Sequence, residues 1–309
     1  SQKFHNLSCE LCLSCGHFQN QYLVSSKERY EDTDYSYTSS NSNISKNHWI
    51  DYFESVIKKA NIQSNDSIIE FGSNDGFLTS QFHKSFKIIG IEPSKYLADL
   101  SSKEGLNIIN EYLSLKSINK AVQKNGKCKL IYGNNVFNHI HEINEATKAI
   151  KFGLLDDGYF VFESPYLLDI IQKYFFDTIY HEHISYFSIK AIDYLLSSNG
   201  LFITDIERND YHGGCIRVFS SPNKANYNTS LVESFISTEI ESGLFDLNTY
   251  KNFMNKIEND KFNTVNSLIE MKKKGLNIVA IGAAARSNTL LNYYESMKYQ
   301  FSFHPQIFI

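Results

Sequence analysis

The sequence predicts an α/β fold built on a doubly wound parallel sheet, and three observations carry that expectation. From about residue 48 onward, short apolar runs alternate with amphipathic segments. The first run, "SIIEFG", leads directly into a glycine-bearing turn and a helix-forming stretch. Successive runs are spaced widely enough for one crossover helix each, which parallel neighbours require.

The elements follow in order. "HWIDYFESVIKKA" opens a helix, with Trp49, Ile50, Phe53, Val56 and Ile57 at helical spacing. "SIIEFG" reads as a strand, "DGFLTSQFHKS" as a helix and "KIIGIEP" as a second strand. "KLIYGNNVF" is a third strand, "NEATKAIKFGLL" a helix and "GYFVFESP" a fourth strand. "GLFITDIER" and "GCIRVFSS" are later strands, the second antiparallel. Residues 48–222 thus form one α/β domain. Residues 1–47 hold a cysteine cluster, the strand-like "HFQNQYLV" and a polar Ser/Asn-rich loop. Residues 223–309 begin as a helical linker over 225–275. They continue as "LNIVAIGAAARSNTLLNYY", the strand, turn and helix of a second, incomplete α/β unit.

A length of 309 residues suits two domains, at roughly 100–200 residues each. Hydrophobic content of 42% with 14% aromatics is ample for a sizeable core. A net charge of −4 gives no basic field, so no nucleic-acid partner is expected. No apolar run approaches the roughly 18–20 residues that span a bilayer, so no membrane association is expected. "SQKFHNLSCE" lacks the basic and apolar regions of a signal peptide. Five cysteines, three of them packed as "CELCLSC", look unlike a secreted disulfide framework and point to a reducing, cytoplasmic setting. The oligomeric state is not set by the sequence.

Two constellations carry chemistry. In "IIEFGSNDGFL", Gly72, Ser73, Asn74, Asp75 and Gly76 join a strand to a helix, where free backbone N–H groups face a ligand. The spacing is G-x-x-x-G, not the dinucleotide G-x-G-x-x-G. A carboxylate at Asp75 would repel a diphosphate but suits a sulfonium or an amino group. Glu92 and Pro93 end the second strand, where an acidic side chain accepts ribose hydroxyls. Asn134 and Asn135 follow the third strand. This set resembles the Rossmann-like class I methyltransferases, and the resemblance implies S-adenosylmethionine as the cofactor at these nine positions.

The second constellation is "FFDTIYHEHISYFS", which groups Tyr180, His181, Glu182 and His183 between apolar flanks. In an extended chain Tyr180 and Glu182 share one face; on a helix Tyr180 and His183 do. Either way several polar groups line a cavity, and a carboxylate beside a buried histidine favours its protonated form. H-E-H lacks the H-E-x-x-H spacing of a zinc protease. This segment resembles the sugar C-methyltransferases that branch nucleotide-linked 4-keto-deoxysugars. So do "IIEFGSNDGFL", "YGNNVFNHI", "HGGCIRVF" and "GAAARSNTLLNYY", in the same order over residues 9 to 294.

The resemblance implies methyl transfer to carbon, at C3 of the sugar. His183 would be the base that forms an enolate, Tyr180 and Glu182 would orient the sugar, and His181 would stabilise charge. Two alternatives stand beside it: a sugar O-methyltransferase, or a truncated remnant that binds cofactor without turnover. It also implies a small N-terminal zinc domain, for which Cys12, Cys15 and Cys9 are candidate ligands. His5, His17 or an upstream residue would supply the fourth. Cys128 and Cys215 lie on predicted strands and read as core. Tyr35 and Tyr37, in "DYSYTSS", match a loop that closes over the sugar nucleotide. His212 and Arg217 would line the cleft; Arg286 and Asn288 stand where the family meets a phosphate.

Overall fold

The computed structural model describes residues 5–30, 37–83, 85–279 and 285–294. Strands β1 (Cys9–Leu11) and β2 (Phe18–Asn20) come first, then helices α1 (Ser26–Tyr30) and α2 (Asn43–Lys59). Next are β3 (Ser67–Phe71), α3 (Phe77–His83), β4 (Lys87–Ile91), α4 (Lys95–Lys103) and β5 (Ile108–Ile109). They are followed by α5 (Leu115–Asn125), β6 (Cys128–Asn134), α6 (Ile143–Gly153), β7 (Leu154–Pro165) and α7 (Leu167–Gln172). Then come β8 (Ser185–Tyr186), α8 (Ile189–Ser198), β9 (Phe202–Asn209) and β10 (Cys215–Ser221). Helices α9 (Thr229–Glu241), α10 (Leu247–Lys273) and α11 (Ala285–Tyr293) close the described chain.

The main sheet has seven strands in the order β5-β4-β3-β6-β7-β10-β9. Pairings from β5 through to β7 are parallel, and β10 is antiparallel to both β7 and β9. Strand order reverses beside β3, so a crevice opens where the chain leaves β3 and β6. Both sheet faces are buried, which is why the strands read as near-continuous apolar runs. Alternation divides them between two clusters. Ile69, Phe71, Ile131, Phe160 and Phe162 pack under α5, α6 and α8. Ile68, Leu130, Tyr132 and Val161 pack with Trp49, Tyr52 and Val56 of α2 and Leu78 and Phe82 of α3. Ser42 caps α2, Ser94 caps α4, and a Ser114–Ser117 capping box starts α5.

Cys128 and Cys215 are core residues, as expected. Helices α4 and α5 and the two-residue β5 fill a stretch where the sequence pattern singled out nothing. The strand expected at "LNIVAIG" shows no regular structure over 276–279, and 280–284 lie outside the described residues. The N-terminal segment is tied into the main body: β1, β2 and β8 form a second, antiparallel sheet, so β2 pairs with the strand just after His183.

Candidate active site

At the carboxyl ends of β3, β4 and β6 lies a cavity of about 300 Å³. Its floor is the glycine turn. Gly72 has φ +65 and a Cβ there would meet Val136 at 2.7 Å, so only glycine fits. Of the positions expected to hold the cofactor, Ser73, Asn74, Glu92, Pro93, Asn134 and Asn135 also line it. Glu92 Oε2 accepts the Asn74 backbone N–H at 2.9 Å and Oε1 accepts that of Ser94 at 2.8 Å. Burial raises its pKa while those two N–H groups oppose the rise. Each oxygen keeps a lone pair for a ligand. The Ser73 hydroxyl and the Asn135 amide are buried with no hydrogen-bond partner among the described residues, which marks them as waiting for one.

Asp75 and Gly76 do not line the cavity. Both Asp75 oxygens are taken by Ser39 and Ser40, through hydroxyl contacts and the Ser40 N–H at 3.1 Å. Asn74 adds Ser39 N–H to its Oδ1 at 2.9 Å and gives its own amide to the Tyr37 carbonyl at 3.1 Å. The carboxylate expected to face a cation instead clamps Ser39 and Ser40 onto the glycine turn. Tyr37 thereby lines the cavity, and Tyr35 lies outside the described residues.

Tyr180 to His183 form neither a strand nor a helix but a tight turn, with His183 N–H donating to the Tyr180 carbonyl at 3.0 Å. Asn20 of β2 pins that turn, donating to the Tyr180 and His183 carbonyls at 3.0 and 2.7 Å. His183 is buried, with Nδ1 at 2.8 Å from the Thr178 carbonyl. A carbonyl only accepts, so Nδ1 carries the proton and Nε2 keeps its lone pair. Burial, then His139, lowers its pKa to about 3 despite Glu182. Glu182 does favour the charged ring, as a neighbouring carboxylate should, but desolvation outweighs it. The turn also sends His181 the other way, to the Asn6 carbonyl at 2.9 Å, so it leaves the cluster.

Two residues the sequence did not flag complete the site. His139 lines the cavity and stacks on His183 with ring centroids 5.0 Å apart. Tyr30 also lines it, its hydroxyl 3.2 Å from Glu182 Oε1 and 3.4 Å from His139 Nδ1. The Tyr180 ring lies 4.2 Å from that of His183. Glu182, Tyr30, His139, His183 and Tyr180 thus form one contiguous group, of which Tyr30 and His139 line the cavity, while Tyr180, Glu182 and His183, expected to line it, do not.

Other expected residues serve elsewhere. Arg217 is buried between Glu163, at 3.0 Å, and Glu207, at 2.9 Å, with its guanidinium 4.5 Å from the Tyr52 ring centre. Its charge is consumed in the core instead of facing a cleft. Glu163 also meets His48 at 2.6 Å, and His48 lies flat on Tyr211 at 3.8 Å. His212 does not line the cavity; burial, then Arg286, lowers its pKa. Arg286 makes a two-bond pair with Asp177 at 2.9 and 3.0 Å, so its charge is already matched. Asn288 is exposed on α11, bonded to Asn292.

Among the described residues no three His, Cys, Asp or Glu side chains converge as a metal site. Cys12 and Cys15 stay together, and hydrogen bonding from Cys15 lowers the Cys12 pKa. Cys9 turns to Asn20 Oδ1 at 3.0 Å, and burial pushes its thiol up to about 12. His17 stacks on Phe187 and His5 sits near Glu28. Two neighbouring thiols fall short of the four ligands of a closed zinc site, so the described residues do not fit zinc. No helix among the described residues is long and apolar enough to cross a membrane.

The chain is 28% identical over 259 residues to the C-methyltransferase NovU of Streptomyces niveus, covering 83% of this chain. It spans 62% of that relative's length. Among solved structures it is similar to an S-adenosylmethionine-dependent methyltransferase from Clostridium acetobutylicum, at TM-score 0.45 and 12% identity. That match covers 60% of this chain and 94% of the other. The YcgJ protein of Bacillus subtilis is similar at TM-score 0.44 and 12% identity, over 58% of this chain and 99% of that one. A C-methyltransferase C-terminal domain model matches residues 210–303. The methyltransferase domain model matches residues 46–206, just over half of the chain. With its class I sheet and its cavity behind the glycine turn, the chain belongs to the methyltransferase domain family.

Proposed function

We propose that this protein transfers a methyl group from S-adenosylmethionine to C3 of a nucleotide-linked 4-keto-deoxysugar. The observation that carries the reading is the neutral His183 ring, with a bare Nε2, next to cavity-lining His139. Bound S-adenosylmethionine supplies an electrophilic methyl. Ser73, Glu92 and Asn135 would hold it, since each keeps free hydrogen-bonding capacity at the cavity wall. In a 4-keto sugar the carbonyl acidifies the C3 hydrogen. His183 Nε2 would take that proton, and the electron pair left on C3 would form the new carbon–carbon bond as the methyl–sulfur bond breaks and its pair returns to sulfur. Glu182 offsets part of the desolvation of the protonated ring. Positioned base catalysis of this kind contributes on the order of 10²–10⁴-fold.

Two further facts support carbon over oxygen as the acceptor. The similar curated protein is a C-methyltransferase, and the second family match is a C-methyltransferase C-terminal domain. The nucleotide-linked sugar rests on the motif resemblance. The test is a set of 4-keto sugar nucleotides incubated with methyl-¹³C cofactor. One-bond carbon–carbon coupling from the new methyl to C3 is the expected result. A methyl bonded to oxygen, or no transfer to any of them, overturns the reading.

A further inference from the structure

Tyr30 stands at the junction between the cavity and the histidine cluster, on the five-residue helix α1. Its hydroxyl lies 3.2 Å from Glu182 Oε1 and 3.4 Å from His139 Nδ1. A phenol has one proton and an ionised carboxylate has none, so Tyr30 donates to Glu182. Its oxygen carries lone pairs that can accept, and His139 Nδ1 is within reach of it at 3.4 Å. Glu182 Oε1 lies 3.7 Å from that nitrogen, beyond hydrogen-bond distance, so the phenol is the nearer acceptor and selects the tautomer with hydrogen on Nδ1. The other nitrogen, Nε2, is buried and has no hydrogen-bond partner among the described residues.

We propose that Tyr30 is a positioning residue that fixes His139 as the Nδ1–H tautomer. The unshared pair on Nε2 is thereby available to accept a hydroxyl hydrogen from the bound acceptor substrate. The bonding order runs His139 Nδ1–H to the Tyr30 oxygen, then Tyr30 O–H to Glu182. No bond is broken and no net charge moves. Burial, then Arg29, holds the His139 pKa down to about 3, so near neutral pH the choice of tautomer is the only one open to the ring. The role given to Nε2 rests on the methyl-transfer reading; the tautomer does not.

The test is nitrogen NMR of the whole chain labelled with ¹⁵N-histidine, without substrate, with the His139 signals assigned through His139→Gln. In the unmodified protein His139 is expected with a protonated Nδ1 and a bare Nε2. Tyr30→Phe removes one hydroxyl and is expected to move the ring toward the Nε2–H form. With substrate and cofactor, kcat is expected to fall about 10-fold while KM changes less than about 2-fold, as for loss of one charge-assisted hydrogen bond. An Nε2–H or doubly protonated His139 in the unmodified protein overturns the proposal. So does a tautomer that Tyr30→Phe leaves unchanged. Should methyl transfer fail with every sugar while the tautomer is as stated, the functional reading falls and this one stands.

Discussion

Glu70 stands on β3 just before the glycine turn, 5% exposed, and accepts the Tyr132 hydroxyl at 2.9 Å and that of Thr79. Burial pushes its pKa up to about 8, and the two hydroxyls recover only part of the cost. The folded chain therefore holds a proton that the unfolded chain, at a carboxyl pKa of about 4.3, has already released. Between those values the folded state binds more protons, so stability falls as pH rises. Above pH 6.5, the depressed pKa values of His139 and His183 no longer oppose that slope. Glu70→Gln should flatten the decline in Tm from pH 6.5 to 8, ending about 2–4 °C above the unmodified protein for each kcal/mol relieved. Thermal melts at both pH values decide it, and parallel slopes would count against a protonated Glu70.

At the scale of elements, the informative feature is how short pieces from distant parts of the chain meet. Strand β2 is three residues long, yet Asn20 holds two carbonyls of the Tyr180–His183 turn and accepts the Cys9 thiol. Removing its amide strands two buried acceptors, at about 1–3 kcal/mol each. Asn20→Ala should lower Tm by at least about 4 °C. Amide exchange should quicken over residues 180–184 and not in β3 or β6. An unchanged Tm, or equal exchange in the turn, would show that β2 does not support the site. Such contacts were not legible in the sequence, because residues 20 and 183 have no periodic relation. The same holds for Tyr30 with Glu182, 152 residues apart. Local chemistry was legible: Gly72 needs a positive φ, and Glu92 sits where the second strand ends.

For the whole molecule, the alternation of apolar runs was enough to read the parallel sheet, since both faces of β3, β4 and β6 are buried. Strand β5 escaped notice because two residues carry no period. Charged residues misled most. Asp75 and Arg217 were expected to face ligands, but each found partners on a neighbouring segment that sequence order does not bring close. A burial cost of several kcal/mol per ion, set against such pairing, decides where a charge ends up. The glycine turn in the cavity wall and the His183 ring stacked on cavity-lining His139 suit the single event proposed above, proton removal beside a methyl donor. The most direct measurement leaves the donor out. A 4-keto sugar nucleotide incubated with the protein in heavy water should take up deuterium at C3, and His183→Ala should slow that exchange by about 100-fold or more. Absence of exchange with the unmodified protein, or equal exchange with His183→Ala, would contradict the role given to this histidine.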